Sequence, residues 1–473
     1  MNTIQHFIVN KKIILIFLVI SLISLFTFKK YIPENYKNFI KEYIFVYSNI
    51  NNLKLEVNKL KKLNEYLDNE ISEKDLIIFD MTSSNPEFNF VKNDKDEHFT
   101  FNKKKIKITK FSNDTISYLT PRAHFELHDN NVFLVTGVGQ ILYSSSDPKN
   151  FNSEKIKFKQ IKTNLFERIN VDYLSDRATV VKSILIIDKF IFISYVKEIN
   201  ENCYTNAILR GEFNYEKINF EDFFDTNDCS VYYGNQTGGI FERYKDNEFV
   251  YSVGDWYAYT LEDGLRNNKP QEINSYKGKI LKFSIEDNKP EILSLGHRNP
   301  QGLRYDKDNN ILFSTDHGPQ GGDEINIDIN PDIKDIKNYG WGIASYGEHY
   351  GYPVKNPKEY KAAPLYKSHE KYGFIEPLTY FVPSIAITQI DFVDDILNNQ
   401  RNFFVGALGN DMEEGDMSIH NIIFNKKNYW KKESHDIIPI GERIRDLKYY
   451  DNIGLLFWAE ATGSIGVLNL KND

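Results

Sequence analysis

Cysteine, methionine and tryptophan are scarce in this chain, with two, four and four residues among 473. Two cysteines are too few for a disulfide-built scaffold, and no C-x-x-C marks a cysteine-ligated metal module. Clustered positive charge is also missing. The formal net charge of −8 argues against nucleic acid as a partner, because phosphate binding needs a basic surface. Its one obvious basic run, Lys103, Lys104 and Lys105, reads as a solvated turn. G-x-S-x-G, P-loop and dinucleotide fingerprints do not occur, so acyl transfer from a nucleophile elbow and phosphoryl transfer have no support. One apolar run stands out, Ile13–Phe28, which carries no charge and lies between Lys11-Lys12 and Lys29-Lys30. It is near the lower limit for crossing a bilayer. Because no A-x-A pattern follows, an uncleaved membrane anchor is expected in preference to a secretory signal peptide, whose removal would leave a secreted protein. Either way the remainder is exported, and Cys203 and Cys229 suit that setting, where one disulfide can close the loop between them.

Aromatic residues are abundant, 34 Phe and 30 Tyr, and 41% of the chain is hydrophobic, which favours strand-rich architecture with a large core. After the anchor (residues 1–30), residues 31–75 read as a short helical stalk, with Val57, Leu60, Leu67 and Ile71 at roughly heptad spacing and Asn64 among them. Further on, one unit recurs six times: an apolar strand, a turn rich in Asp and Asn, and a second apolar strand ending in small residues. The copies begin at His124, Ser183, Gly239, Gly302, Ile387 and Arg443. Six hairpins at roughly sixty-residue spacing predict an all-β fold, a six-bladed β-propeller over residues 76–473, with each hairpin at the centre of a blade. A β-sandwich needs fewer hairpins over such a length.

The polar, glycine-rich motifs fall between these hairpins: SVGD before residue 256, GHRNPQGL from Gly296, DHGPQGGDEIN from Asp316, NYGW from Asn338, FVPS from Phe381 and GERIRD from Gly441. In a propeller they crowd one face. Arg298, Arg443 and Arg445 offer forked donors for an anionic ligand, or each pairs with a nearby acid such as Glu442 or Asp446. Carbonyls at Gly318 and Pro319, with Asp316, Asp323 and Glu324, suit a hard cation such as calcium, or form only a polar turn. His297 and His317 lack a third zinc ligand at a recognisable spacing. Asp255 reads as a base or charge partner, or as a turn cap.

These motifs, in this order, resemble the soluble quinoprotein glucose and aldose sugar dehydrogenases, the glucose/sorbosone dehydrogenase family, from about Pro121 to the C-terminus. The resemblance implies a six-bladed propeller that binds pyrroloquinoline quinone (PQQ) and calcium, and oxidises an aldose at its anomeric carbon to a lactone, passing electrons to an external acceptor. It implies calcium at the carbonyls of Gly318 and Pro319, cofactor contacts from Arg298, Asn299, His317 and Ser384, and cofactor carboxylates on Arg443 and Arg445. Asp255 matches the acid near the catalytic base. The base itself departs from the pattern: where the family has histidine, nineteen residues before that acid, this chain has Gln236, whose amide cannot take up a proton near neutral pH. Ile240 replaces an arginine, and Gly409 stands where a cofactor-contacting lysine is expected. Three readings are open: a membrane-anchored sugar dehydrogenase in which Asp255 or His317 replaces the base, a non-catalytic propeller that binds a carbohydrate or other ligand, and a calcium-dependent lactonase-like hydrolase.

Overall fold

The computed structural model describes residues 57–62, 84–93, 96–101, 104–169, 180–200, 203–230, 236–257, 268–332, 335–349, 365–395, 397–427 and 430–470. The chain divides into two units, Met1–Glu70 and Ile71–Asp473. In the first, residues 57–62 are helical, and the expected anchor at Ile13–Phe28 lies outside the described residues, as does the rest of the stalk. No helix among the described residues is long and apolar enough to cross a membrane.

The second unit is built from hairpins because apolar strands alternate with turns that only a few residue types tolerate. Ala123–His128 and Asn131–Thr136 pair with His128 opposite Asn131, leaving a two-residue turn. Its residues, Asp129 and Asn130, both have positive φ, 45° and 58°. Asp and Asn bear that conformation better than other side chains, and two in succession give the turn twist that matches paired strands. The inner strand Val181–Ile187 is buried along its whole length, which its apolar run VKSILII foreshadows with two exceptions, Lys182 and Ser183.

Pairing produces four sheets of four or five strands and one of eleven. Six strands, Ala123–His128, Val181–Ile187, Gly238–Lys245, Pro300–Asp306, Ile387–Asp395 and Ile444–Tyr450, touch in this order, and the last returns to the first, so the ring closes. Each of the six runs antiparallel to the strand that follows it. Their starting residues, and the loops that leave each second strand, therefore gather at one end of the ring. Five of the six also slip register close to that end, at Val181/Ser183, Gly238/Phe241, Pro300/Gly302, Ile387/Ile390 and Ile444/Asp446. Such bulges re-aim side chains.

Closure depends on Lys104–Ser112. This strand pairs with Ser464–Leu468 and also with Glu87–Lys92, joining the early and late strands of the second unit in the eleven-stranded sheet. Lys104 and Lys105 thus open a strand and do not form the expected turn, while Lys103 lies outside the described residues. The strand is held by Ile106, Ile108 and Phe111, all buried. Between successive sheets lie separate apolar cores: Phe133 and Val135 pack with Ile184 and Ile193, Phe192 with Phe249 and Phe283, and Phe313 with Phe403. Cys203 and Cys229 form a disulfide with Cα atoms 5.1 Å apart, tying the start of Cys203–Glu212 to the loop after Phe220–Asp225.

Phe111, fully buried among Phe90, Phe125 and Trp458, anchors the closing strand. Phe111→Ala is expected to destabilise the unit by about 3–5 kcal/mol, read from the urea unfolding midpoint. A shift within about 0.5 kcal/mol, the range of surface substitutions, would show that closure does not rely on this contact.

Candidate active site

One hydrogen-bonded chain links most of the expected residues at the gathered end of the ring. Asp255, fully buried after the strand Glu248–Val253, accepts from Trp341 Nε1 at 2.7 Å and from the Tyr257 N–H at 3.0 Å. Its own N–H donates to the Arg298 carbonyl at 2.7 Å. With its amide turned to satisfy both neighbours, Gln236 donates to Asp255 Oδ1 at 2.6 Å and accepts from Arg298 Nη2 at 2.7 Å. This approach requires glycine at 254, where a Cβ would lie 1.9 Å from the Gln236 carbonyl oxygen. Burial pushes the Asp255 carboxyl up to about 7, with the Arg298 charge opposing the rise.

Arg298 continues the chain. Its Nη1 donates to the carbonyls of His317 at 3.0 Å and Gly318 at 2.6 Å, and its guanidinium lies 5.4 Å from the Trp341 ring. Asp316 holds the backbone in place by accepting from the N–H groups of Arg298 at 3.1 Å and Asn299 at 2.6 Å. Asn299 accepts from the Gly238 N–H at 3.1 Å. Beyond Gly318, whose N–H donates to Asp323 at 2.9 Å, the same carboxylate accepts from Ser384 Oγ at 2.6 Å and from the N–H groups of Ile385 and Ile387, each at 3.0 Å. Ser384, Asp323, Gly318, Arg298, Gln236, Asp255 and Trp341 are therefore one continuous network.

A second group surrounds Glu460. Arg445 Nε donates to it at 2.5 Å, Arg443 Nε at 2.9 Å, and Arg122 Nε lies 3.6 Å away. These cations hold the Glu460 carboxyl below its usual range although burial opposes them. Arg443 also donates to the Leu408 carbonyl. His317 feels both groups: burial lowers its pKa, Asp323 raises it, and Arg298 and Arg445 lower it again. Its Nε2 is buried and makes no hydrogen bond among the described residues.

The family model described as Glucose / Sorbosone dehydrogenase matches residues 186–466, more than half of the chain. The chain belongs to the glucose/sorbosone dehydrogenase family. It is 30% identical over 203 residues to the aldose sugar dehydrogenase YliI of Escherichia coli (strain K12), covering 39% of this chain and 49% of that one. It is 31% identical over 134 residues to the quinoprotein glucose dehydrogenase B of Acinetobacter calcoaceticus, covering 24% and 27%. The chain spans about half the length of the curated relatives it matches, or less. Its fold is similar to that of the soluble aldose sugar dehydrogenase of Escherichia coli in the apo-form, with a TM-score of 0.55 and 20% identity, covering 74% of this chain and 95% of that structure.

Within this member of the family, the departures have visible causes. Ile240 is a core residue, packed with Tyr244, Val250, Leu303 and Leu312. At Gly409 a Cβ would stand 2.0 Å from the Asp416 carboxylate, so a lysine there has no room unless Asp416 moves. Three guanidiniums around a single carboxylate leave the Glu460 group suited to an organic anion. A hard cation at Gly318 and Pro319 does not fit the residues as they stand. The Gly318 carbonyl already faces the Arg298 charge, and both oxygens of Asp316 and of Asp323 are taken by donors. Among the described residues no three His, Cys, Asp or Glu side chains gather as metal ligands.

Arg122, Lys182 and Glu460 were not singled out as site residues from sequence, and Trp341 entered only as the end of the NYGW motif. Lys182 carried a signal, as the one charge inside a largely apolar strand; Arg122 and Glu460 carried none, because each becomes part of the site only when the ring closes.

The raised carboxyl of Asp255 sets a pH dependence. A pKa above the unfolded value means the folded state holds the proton longer, so the stability it contributes is complete below the ordinary carboxylate range and lost as pH rises through about 7. Urea unfolding at a series of pH values is expected to show this decline, and Asp255→Asn to flatten part of it. Asp446, also pushed up to about 7 by burial, contributes to the remainder, as do the carboxyls of Glu242 and Glu324, which burial raises as well. An unchanged slope in the variant would place the Asp255 carboxyl in its ordinary range.

Proposed function

We propose that this chain oxidises an aldose at its anomeric carbon to the lactone, with PQQ as its bound cofactor and an external electron acceptor, on a six-bladed propeller whose eleven-stranded sheet comprises two blades. Family membership supports the sugar, and the relatives named aldose sugar dehydrogenase and quinoprotein glucose dehydrogenase support the chemistry. The observation that carries the cofactor assignment is the gathering of Arg122, Arg443 and Arg445 around Glu460. Three guanidiniums converge on one carboxylate there, and forked donors suit the carboxylates of a planar organic anion. Calcium is given no step here, because Arg298 holds the Gly318 carbonyl.

When bound, the quinone supplies a two-electron acceptor for the hydride that leaves the anomeric carbon. The hydroxyl proton on that carbon needs a base in this chain. Gln236 cannot serve. Asp255 is raised into a suitable range, but its oxygens already accept from Gln236, Tyr257 and Trp341. His317 is kept neutral by burial, and its Nε2 has no partner among the described residues. It is the base in this reading, with the Arg298 guanidinium beside it to stabilise negative charge developing on the sugar oxygen. The disulfide between Cys203 and Cys229 supports an exported protein, with Ile13–Phe28 as its membrane anchor.

A second reading, a propeller that binds a ligand without turning it over, is favoured by one observation: Gln236 clamps Asp255 to Arg298. Steady-state dye reduction by the PQQ-loaded full chain with a panel of aldoses separates the two. The dehydrogenase reading expects sugar-dependent reduction that falls by roughly 10²- to 10⁴-fold in His317→Gln. Turnover unaffected by that substitution would remove His317 as the base, and tight PQQ binding with no turnover on any aldose would favour the binding protein.

A further inference from the structure

Lys182 is 6% exposed, yet its ammonium makes no hydrogen bond or ion pair among the described residues. Its stem crosses Gly239, where a Cβ would lie 2.8 Å from the Lys182 Cβ. The groups whose charges reach it are Arg122 and Arg445, which repel it, and Glu460, which attracts it. The charges of Arg445, Arg122 and Lys182 itself also reach His124. A largely buried lysine within reach of two guanidinium charges, with no acceptor of its own among the described residues, is suited to an anion that completes it. Burial, reinforced by those arginines, accordingly drives its pKa well below the usual lysine value.

Position strengthens the case. Lys182 is the residue left over where the register slips between Val181 and Ser183, and Arg445 is left over in the same way between Ile444 and Asp446. Bulges at matching places in two inner strands aim both side chains at the same end of the ring, from the two strands that flank Ala123–His128 in it.

We propose that Lys182 is a further ligand-binding residue of this site, its ammonium holding a carboxylate of a polycarboxylate anion that Arg122, Arg443 and Arg445 bind from the other side. This rests on the reading that an organic anion occupies the ring end, and it supplies a cation in a chain that has Gly409 where a cofactor-contacting lysine was expected. Burial and the two arginines lower the pKa of the free amine and an anion beside it raises it again, so ligand binding shifts Lys182 toward its protonated form.

The test is calorimetric titration of the full chain and its variants with PQQ and, separately, with citrate, at about pH 8 in two buffers of different ionisation enthalpy, so that proton uptake is read directly. Wild type is expected to bind PQQ with net proton uptake. Lys182→Met should bind roughly tenfold or more weakly and lose that uptake, while Lys182→Arg stays within about threefold of wild type. Should Lys182→Met fail to fold by circular dichroism, Lys182→Gln takes its place. Lys182-dependent binding of citrate with none of PQQ would sustain this proposal and sink the quinone reading. Equal affinity and equal proton uptake in wild type and Lys182→Met, or no binding of either anion by wild type, would overturn it.

Discussion

The antiparallel pairing of Lys104–Ser112 with Ser464–Leu468 is the contact on which the rest of the structure depends. Each hairpin has an apolar face that its own sheet cannot cover, so the sheets must pack against one another in sequence, and the last must meet the first. Once the ring closes, residues more than three hundred positions apart share one end of it: Arg122 reaches Glu460, and the Asp446 carboxylate accepts from the Phe125 N–H at 2.6 Å. The functional end is thus a product of closure, and loss of the closing strand would separate Arg122 from Glu460 before it disturbed Arg298.

At that end two networks of different character lie side by side. Around Asp255, Gln236 and Arg298 nearly every donor has an acceptor, which makes this part rigid and leaves Asp255 little capacity for further chemistry. Around Glu460 three guanidiniums converge on one carboxylate among the described residues, which suits that part to an anion. His317 stands between them with an unpartnered Nε2. No gap is left where histidine was expected at 236; the amide ties the acid to the arginine, and in the dehydrogenase reading proton transfer falls to a group outside that clamp.

The hairpins were legible because inner strands are apolar runs and their turns use Asp and Asn, as at Asp129 and Asn130. The closing strand was not, since KKIKITKFS begins with lysines that read as a turn and carries its apolar residues, Ile106 and Ile108, in alternation with charge. The site motifs from Gly296 to Trp341 announced themselves through glycine, proline and histidine close together. What they could not convey is partner choice: Ser384 serves Asp323, and Gly318 offers its carbonyl to Arg298. Lys182 and Glu460 acquire their meaning only from neighbours far away in sequence.

The most direct test of the central claim, that this ring end performs sugar oxidation on a bound quinone, is an anaerobic single turnover of the PQQ-loaded full chain followed by absorbance. Adding an aldose in the absence of any acceptor should convert the oxidised quinone spectrum to that of the reduced form in one stoichiometric step, with the lactone released. A quinone spectrum that stays oxidised at every sugar concentration, with the cofactor demonstrably bound, would contradict it.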